Sequence, residues 1–380
     1  MELVAILWVA AGTACIAQSV AARAQEAYAR GVERQQHGDL AGARQAYEAA
    51  LKLAPRRVDV LSNLGLVYSL LGEADLGIKC LHDALAIDPQ QPILHFNLGV
   101  AYMRARQFEL AQGELAKVVQ AQPTNLSTHN LLGLCLLKLD RLAEGITELE
   151  IVRRANPLDL DVAYTLASAY IKANQLDKAE PVVRDLESQD SAEAHFIVGS
   201  YYLAKLDHQR AATEFTRTLE LNPKFPDAHA QLAYAHFFGF QWDLSVKMCE
   251  EELALNPDDD NAVKLLGSLY RQRGRLEEAG ALLDKANRQK PNDYEILYQI
   301  ALLAQAENDY PRAVAVLEQV TRLNPDFPPP HVTLIRAYNK LKRTEDANRE
   351  QVIVDRLNAE RKNQPTVRDK ALYDTFKTPQ

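Results

Sequence analysis

The chain has 380 residues, of which 47% are apolar, and it carries a formal net charge of −8 at pH 7. An acidic chain does not fit a nucleic-acid-binding protein that depends on neutralising phosphates, so we predict no nucleic-acid partner. The apolar residues are evenly spread, and no Pro/Gly/Ser-rich linker interrupts them. This distribution favours a regular array over two or three separate domains.

An uncharged, apolar segment begins the chain. Residues Leu3–Ala22 are rich in Leu, Val, Ile and Ala, and the small-x-small sequence Ala22-Arg23-Ala24 ends them. This pattern is typical of a secretory signal that is cut before Gln25. The same segment is long enough to span a bilayer if it stays uncut. We therefore expect a signal peptide or N-terminal membrane anchor over 1–24 and an extracytoplasmic protein, periplasmic or secreted, that could be tethered through 3–22.

One 34-residue pattern repeats along the rest of the chain. The stretch Val58–Gln91 has Leu, Gly and Tyr in its first half, small residues in its second half, and Pro89 near its end. This spacing predicts two short amphipathic helices that are joined by a tight turn and stopped by the proline. Aligning the closing prolines gives ten repeats, which are 24–57, 58–91, 92–125, 126–159, 160–191, 192–225, 226–259, 260–293, 294–327 and 328–361.

Three columns of this alignment are informative. Position 8 is Gly or Ala in nine of the ten repeats, as at Gly65, and position 20 is small in all ten, as at Gly77. We expect small residues where the two helices of one repeat cross closely. Position 11 is tyrosine in six repeats, where a ring can pack against the neighbouring repeat. The six tyrosines are Tyr68, Tyr102, Tyr170, Tyr202, Tyr270 and Tyr338.

On these residues the chain resembles the tetratricopeptide repeat family from about Ala24 to Arg361. The resemblance implies an all-α fold, an α-solenoid of about ten helix-turn-helix repeats in a right-handed superhelix, with the first helices lining a concave groove. It places repeats 1–5 over 24–191 and repeats 6–10 over 192–361. Residues 362–380 would then form a C-terminal capping helix or a tail.

The fifth repeat departs from this pattern. It is two residues short, has Ser191 where proline is expected, and carries Pro181 inside its second helix. A proline there should kink that helix or make it start late. The seam at about 185–195 is therefore a candidate hinge or change of pitch, and a tolerated short turn is the alternative.

The sequence lacks the patterns that carry catalysis or metal binding. No P-loop, GxGxxG, HExxH or GxSxG motif occurs, and no segment outside the repeats could form a catalytic domain. We therefore predict that the chain is not an enzyme and holds no cofactor or metal. The three cysteines after the apolar segment are predicted to be small core residues, namely Cys80, Cys135 and Cys249. Five histidines share position 4, which indicates a packing role, and they are His95, His129, His195, His229 and His331.

The groove is where binding residues are expected, at positions 2, 5, 6, 9, 12 and 13 of each first helix. Asn63 and Asn97 lie at position 6 in Asn-Leu-Gly runs. They are similar to the asparagine ladder of O-linked N-acetylglucosamine transferases, and this resemblance implies that they hold an extended peptide by its backbone. Gln231 and Gln299 occupy the same position, and a side-chain amide can both donate and accept a hydrogen bond.

Aromatic side chains offer apolar anchors in the same groove. Tyr164 lies at position 5, and the seventh repeat has Tyr234, Phe237 and Phe238 at positions 9, 12 and 13. Such rings often concentrate the binding energy of an interface. Packing between adjacent first helices is the alternative for the position-5 rings. We expect Phe237 and Phe238 to be exposed, and a local re-packing around His236, which replaces the tyrosine, is the competing interpretation.

The sequence therefore predicts a non-enzymatic protein–protein interaction scaffold that binds an extended peptide or a partner surface in its concave groove. The alternative is a regulatory or targeting subunit of an envelope enzyme complex, such as glycosylation machinery, with catalysis on a separate chain. A third hypothesis is an array that spaces partners or self-associates. The predicted ligand-binding residues are Asn63, Asn97, Tyr164, Gln231, Tyr234, Phe237, Phe238 and Gln299.

Overall fold

The structure is a computed structural model that describes residues 20–362, in which every regular element is an α-helix. Most of the predicted signal peptide or anchor, and the predicted capping segment after residue 362, lie outside these residues. None of the helices within 20–362 is long and apolar enough to cross a membrane.

Twenty helices follow one another along the described chain. The first, α1, covers residues 20–36. The others are α2 (Leu40–Leu53), α3 (Val58–Leu70), α4 (Ala74–Leu85), α5 (Pro92–Arg104), α6 (Phe108–Ala121), α7 (Leu126–Lys138), α8 (Leu142–Ala155), α9 (Leu160–Lys172), α10 (Leu176–Leu186), α11 (Ala192–Ala204), α12 (His208–Leu221), α13 (Ala228–Phe238), α14 (Trp242–Leu255), α15 (Asp260–Gln272), α16 (Leu276–Gln289), α17 (Tyr294–Ala306), α18 (Tyr310–Leu323), α19 (Pro328–Lys340) and α20 (Thr344–Lys362).

The chain divides into two compact units, Met1–Ala173 and Asn174–Gln380. In the first, α3 packs on α4, α5 on α6 and α7 on α8, while α4 also packs on α5 and α6 on α7. The second repeats this arrangement from α11 to α20. Each helix pair thus covers the apolar face of the next pair. The predicted fold class, an all-α solenoid of helix-turn-helix repeats, is confirmed.

The small residues at positions 8 and 20 lie where the two helices of a repeat cross. A Cβ atom added to Gly65 would lie 2.7 Å from Cγ of Leu81 and 2.9 Å from the backbone oxygen of Gly77. The fourth repeat has the same geometry, because a Cβ atom on Gly133 would lie 2.8 Å from Cγ of Leu149. The interpretation of these columns as close helix crossings is confirmed.

The closing prolines end the second helices through the residue that precedes them. Gln122 and Asn222, which precede prolines, have φ angles of −136° and −142°, outside the helical range. A proline disfavours the helical conformation in the residue before it, so these two second helices stop there. Five of the following first helices, α7, α9, α11, α15 and α17, are then capped by a side chain, as where Asp259 accepts a hydrogen bond from the Ala262 amide.

The turn inside each repeat contains a residue with positive φ at position 15. Glycine adopts this conformation without a steric cost, as at Gly72 and Gly274. Leu206 and Phe240 adopt it with φ angles of 63° and 58°, although the left-handed region costs an ordinary residue about 1–2 kcal/mol. Their side chains are 56% and 82% exposed, so burial of these side chains does not offset the backbone strain.

The fifth repeat keeps its second helix in spite of Pro181. Helix α10 begins at Leu176, which is position 17, where the other second helices also begin. A proline inside a helix removes its own N–H donor and crowds the carbonyl four residues earlier, but α10 starts in register, so the predicted late start is wrong. Ser191 has a role of its own, because its side chain accepts a hydrogen bond from the Ala194 amide and caps α11. The seam at 185–195 lies inside the second compact unit. The division between repeats 1–5 and repeats 6–10 at residue 191 stays a prediction.

The three cysteines of the described chain are free thiols. Cys135 and Cys249 are buried, as predicted for small core residues, and Cys80 is half-buried. Burial raises the pKa of the Cys80 thiol to about 11 and also raises the pKa values of the other two. Because the thiolate is the reactive form, these cysteines are packing residues.

Candidate functional site

An open groove of about 680 Å³ lies on the first helices of the second and third repeats. Helix α3, helix α5 and the turn that precedes α5 form its walls. Most of its lining residues stand at positions 2, 5, 6 and 9, which the sequence analysis assigns to the groove. These residues are Asp59, Ser62, Asn63, Leu66, Ile93 and Asn97.

Two of the predicted ligand-binding residues, Asn63 and Asn97, come together in this groove. The Asn97 side-chain amide donates to Oγ of Ser62 at 2.9 Å. The amide nitrogen of Asn63 lies 3.3 Å from the hydroxyl of Tyr28 and 3.4 Å from that of Tyr47. Both N–H groups thus link neighbouring repeats. Within residues 20–362 neither amide oxygen has a hydrogen-bond partner, so each can accept a bond from a ligand.

The mouth of the groove carries a fixed pair of opposite charges. Arg57 donates two hydrogen bonds to the Asp59 carboxylate and a third to Oε1 of Gln25 at 3.0 Å. Its guanidinium also lies 4.8 Å from the centre of the Tyr28 ring. Burial alone would raise the pKa of Asp59, but the hydrogen bond from Arg57 and its charge lower it. Asp88 lines the groove as well. The groove therefore offers an Arg57–Asp59 ion pair, a second carboxylate and neutral acceptors.

The other predicted site residues lie elsewhere. Tyr164 on α9 and Gln231 on α13 are half-buried. Gln299 on α17 is buried, and its Oε1 atom has no partner. Next to it, the buried Tyr298 hydroxyl lies 3.1 Å from that of Thr333 in the following repeat. Tyr298 stands at position 5 of its repeat, and this ring packs between adjacent first helices, which is the alternative given for the position-5 rings.

Phe237 and Phe238 are half-buried, so the expectation that they are exposed is wrong. Phe237 and Tyr234 pack against the hydrophobic core of this part of the chain. Phe238 stacks on His208 of α12, with ring centres 5.1 Å apart and planes at 20°. Helix α13 begins at Ala228, position 3, where neighbouring first helices begin at position 1. This seventh repeat is locally re-packed, as the competing interpretation expects.

We expect the double substitution Phe237→Ala and Phe238→Ala to lower the free energy of unfolding by about 2–4 kcal/mol, because it removes two packed rings. Urea denaturation followed by circular dichroism measures this loss. Phe240→Ala is the matched control, since that ring is 82% exposed and its removal should change stability by no more than about 0.5 kcal/mol. A double variant as stable as this control would show that the two rings are not part of the core.

Four of the five position-4 histidines share an arrangement that the sequence analysis missed in part. Each ring contacts a glutamate at position 23 of its own repeat through Nδ1, at 2.5–2.6 Å. The Nε2 atom contacts a backbone carbonyl in three of them and the Asp190 carboxylate in the fourth. The predicted packing role is confirmed. The His–Glu contact itself is indicated in the sequence by the recurrence of His at position 4 together with Glu at position 23 of the same repeat. The pairs are His95–Glu114, His129–Glu148, His195–Glu214 and His331–Glu350.

The fifth histidine, His229, lacks this partner because position 23 of its repeat is Met248. Burial lowers the pKa of His229 although Glu251 opposes this effect, and its Nδ1 atom has no hydrogen-bond partner. Burial, followed by Asp259 and Asp227, raises the pKa of the buried Glu252 carboxyl nearby. Within the described ranges, no group of three or more His, Cys, Asp or Glu residues could hold a metal ion.

The tyrosines at position 11 bind the preceding repeat, which confirms their predicted packing role. In four junctions the tyrosine hydroxyl donates to a glutamate at position 25 of the preceding repeat, at 2.7–2.8 Å. These pairs are Tyr68–Glu48, Tyr170–Glu150, Tyr270–Glu250 and Tyr338–Glu318. Arginines at position 16 lie over two of the rings, Arg275 at 4.1 Å and Arg343 at 4.5 Å.

Comparison with known proteins finds relatives that match part of the chain. PilF, a type IV pilus assembly protein of Pseudomonas aeruginosa, is 29% identical over 155 residues, which are 39% of this chain and 60% of PilF. Superkiller protein 3 of Schizosaccharomyces pombe is 24% identical over 170 residues, 45% of this chain and 12% of that protein. The chain therefore spans less than two thirds of the length of either relative.

Two solved structures match much of the chain at low sequence identity. The Cut9–Hcn1 hetero-tetramer of the APC/C has a TM-score of 0.47 and 14% identity, covering 89% of this chain and 87% of that one. PilF of Pseudomonas aeruginosa has a TM-score of 0.48 and 19% identity, covering 59% and 99%.

Profiles of the tetratricopeptide repeat match most of the sequence. One profile matches residues 28–92, 96–159, 131–195, 164–224 and 241–294, and a second matches residues 304–369. These matches agree with the helix pairs, the close glycine crossings and the tyrosine contacts between repeats. The chain belongs to the tetratricopeptide repeat family.

Proposed function

We propose that the protein is a non-enzymatic interaction scaffold that holds an extended segment of a partner protein in the groove on α3 and α5. The observation that carries this proposal is the pair of amide oxygens of Asn63 and Asn97. Both lie at position 6 of adjacent repeats, both line one open groove, and both lack a partner within the described residues.

The spacing of these acceptors suits an extended peptide. Neighbouring helices pack about 8–10 Å apart, and an extended chain rises about 3.3 Å per residue. One acceptor in each repeat therefore meets the N–H of about every third peptide group. Contacts to the backbone alone carry no preference for a particular side-chain sequence, so the groove can accept different segments.

Apolar contacts must add to these hydrogen bonds. Each bond contributes a net 0.5–1.5 kcal/mol, roughly, so two bonds give only weak binding. Ile93 lines the groove, and 52% of its surface is exposed. Leu66 on the opposite helix lines it as well. Covering these two side chains contributes about 25 cal/mol per Å² of apolar surface removed from water.

The test uses a peptide selected against the full chain from a random-sequence display library. We expect the double variant Asn63→Ala and Ile93→Ala to bind this peptide about tenfold or more weakly in calorimetric titration, because an acceptor and an apolar contact are lost. Leu76→Ala is the control, since Leu76 is 46% exposed on the second helix α4. Equal binding by the double variant and the control would refute a groove on α3 and α5.

We also propose that the scaffold acts outside the cytoplasm. The uncharged segment Leu3–Ala22 and the small residues that end it support export. The similarity to a protein named for type IV pilus assembly also favours the alternative role, a subunit of an envelope complex whose activity is on other chains. N-terminal sequencing of the periplasmic and cytosolic pools tests the location, and an intact Met1 in a soluble cytosolic pool would refute export.

A further inference from the structure

The junction between the sixth and seventh repeats lacks the tyrosine contact that joins other repeats. Position 11 of the seventh repeat is His236, and position 25 of the sixth is Thr216. In four other junctions these positions hold a tyrosine and the glutamate that accepts a hydrogen bond from its hydroxyl, as in Tyr270 and Glu250. Position 16 is also changed, because Gln241 stands where Arg275 covers the Tyr270 ring.

A cleft of about 720 Å³ opens at this junction. Thr216 lies on its α12 wall, and His236 and Gln241 lie on the wall formed by α13 and the start of α14. The residues at positions 11, 16 and 25 thus line the cleft. At the four other junctions the ring of the position-11 tyrosine fills this space. Between the sixth and seventh repeats the space is open.

The cleft contains an acceptor for a hydroxyl group. Nδ1 of His236 lies 2.6 Å from Oε1 of Gln241. With the Gln241 amide in this orientation its oxygen faces the ring, so Nδ1 is the donor and Nε2 of the neutral ring is an acceptor. Thr216 donates its hydroxyl proton to the carbonyl of Ala212 at 2.7 Å, which leaves its oxygen able to accept as well.

We propose that this cleft is a docking site for a tyrosine side chain of a partner protein, which takes the place of the missing internal tyrosine. The ring lies between α12 and α13, and its hydroxyl donates to Nε2 of His236. This site is separate from the groove on α3 and α5, and it belongs entirely to the C-terminal compact unit.

Apolar side chains near the cleft fit the residues that flank such a tyrosine. Leu244, which is 44% exposed, lines the cleft. Phe240 and Trp242 stand on either side of Gln241 in the chain, and they are 82% and 41% exposed. The backbone strain at Phe240 holds a large apolar ring in a turn where glycine or asparagine fits better. Exposed rings of this kind are typical of protein interfaces.

The test titrates acetyl-tyrosinamide into the full chain that carries Trp8→Phe, so that Trp242 is the only fluorescent tryptophan. We expect a saturable change in Trp242 emission. Acetyl-phenylalaninamide, which lacks the hydroxyl, should bind about fivefold more weakly, the value of one hydrogen bond of about 1 kcal/mol. The variant His236→Ala should bind the two compounds equally, because it lacks the acceptor.

Filling the cleft from within is the complementary test. The double variant His236→Tyr and Thr216→Glu restores the tyrosine–glutamate pair of the four other junctions. It should abolish the saturable change in Trp242 emission. The same pair built at the junction of repeats three and four, Leu136→Tyr and Ala116→Glu, should leave binding unchanged. Thermal unfolding checks that both variants fold. No saturable change in the Trp8→Phe chain, no preference for the hydroxyl, or unchanged binding after filling would each overturn the proposal.

Discussion

Replacing Gly65 with alanine should lower the free energy of unfolding by about 3 kcal/mol, the upper range for overpacking a tight core. The added methyl group would lie 2.7 Å from Cγ of Leu81 and 2.9 Å from the backbone oxygen of Gly77. The leucine can change rotamer, but the backbone oxygen moves only if α3 and α4 separate. That separation would also weaken the contact of both helices with the next repeat.

Gly113→Ala is the matched control. Gly113 lies inside α6, and apart from its chain neighbours and the nearby backbone of α6 no atom lies within 4 Å of an added Cβ atom. Alanine should therefore stabilise the protein by about 0.5–1 kcal/mol through its higher helix propensity. Urea denaturation gives both values, and amide hydrogen exchange should localise the loss in Gly65→Ala to α3 and α4. A stabilising Gly65→Ala would mean that the helices do not cross closely at this residue.

Gly65 shows which features can be predicted from the sequence. Its role depends on an interaction between two helices of one repeat, so the same small residue recurs in nearly every repeat. Ten aligned copies make such a contact visible without coordinates. The fold class, the helix crossings and the tyrosine contacts all belong to this group, and the structure confirms them.

Features that occur once in the chain were harder to predict. Phe237 and Phe238 stand at groove positions, but α13 begins two residues late and its repeat lacks the tyrosine that fixes its neighbours. Position numbers therefore do not give the direction of these side chains. The cleft beside His236 was missed for the same reason, because an absent contact becomes a cavity only when the surrounding helices leave it unfilled.

Replacing Glu148 with alanine should lower the free energy of unfolding by about 2–3 kcal/mol near pH 5.5, and by less near pH 8, because a buried hydrogen bond to a charged group is lost. Nδ1 of His129 lies 2.5 Å from the carboxylate, and Nε2 lies 2.9 Å from the carbonyl of Pro123. Both partners only accept, so this arrangement needs both N–H groups of the imidazolium form. The His129 side chain is 4% exposed and that of Glu148 is 20% exposed, so solvent screens the pair only partly.

The sign of the pH dependence follows from the pKa of His129. Burial of the ring lowers this pKa, but the Glu148 carboxylate and the Pro123 carbonyl raise it, and the net result lies above the ordinary value of 6.5. A histidine whose pKa is raised by folding contributes stability that is fully present below its unfolded pKa and is lost as the pH rises through its folded pKa. The difference between the native chain and Glu148→Ala should therefore shrink as the pH rises above about 6.5.

Comparing the native chain with a variant isolates this pair from the other histidines. Burial lowers the pKa values of His208 and His229, so these two histidines change total stability with pH in the opposite direction. Their contributions are the same in the native chain and in the variant, and they cancel in the difference. Glu144→Ala is the control on the same helix, since Glu144 forms an exposed ion pair with Arg141, and it should show no dependence on pH over this range. Urea titrations at a series of pH values give the result. An equal cost for Glu148→Ala at both ends of the range would show that Glu148 does not raise the pKa of His129 in the folded protein.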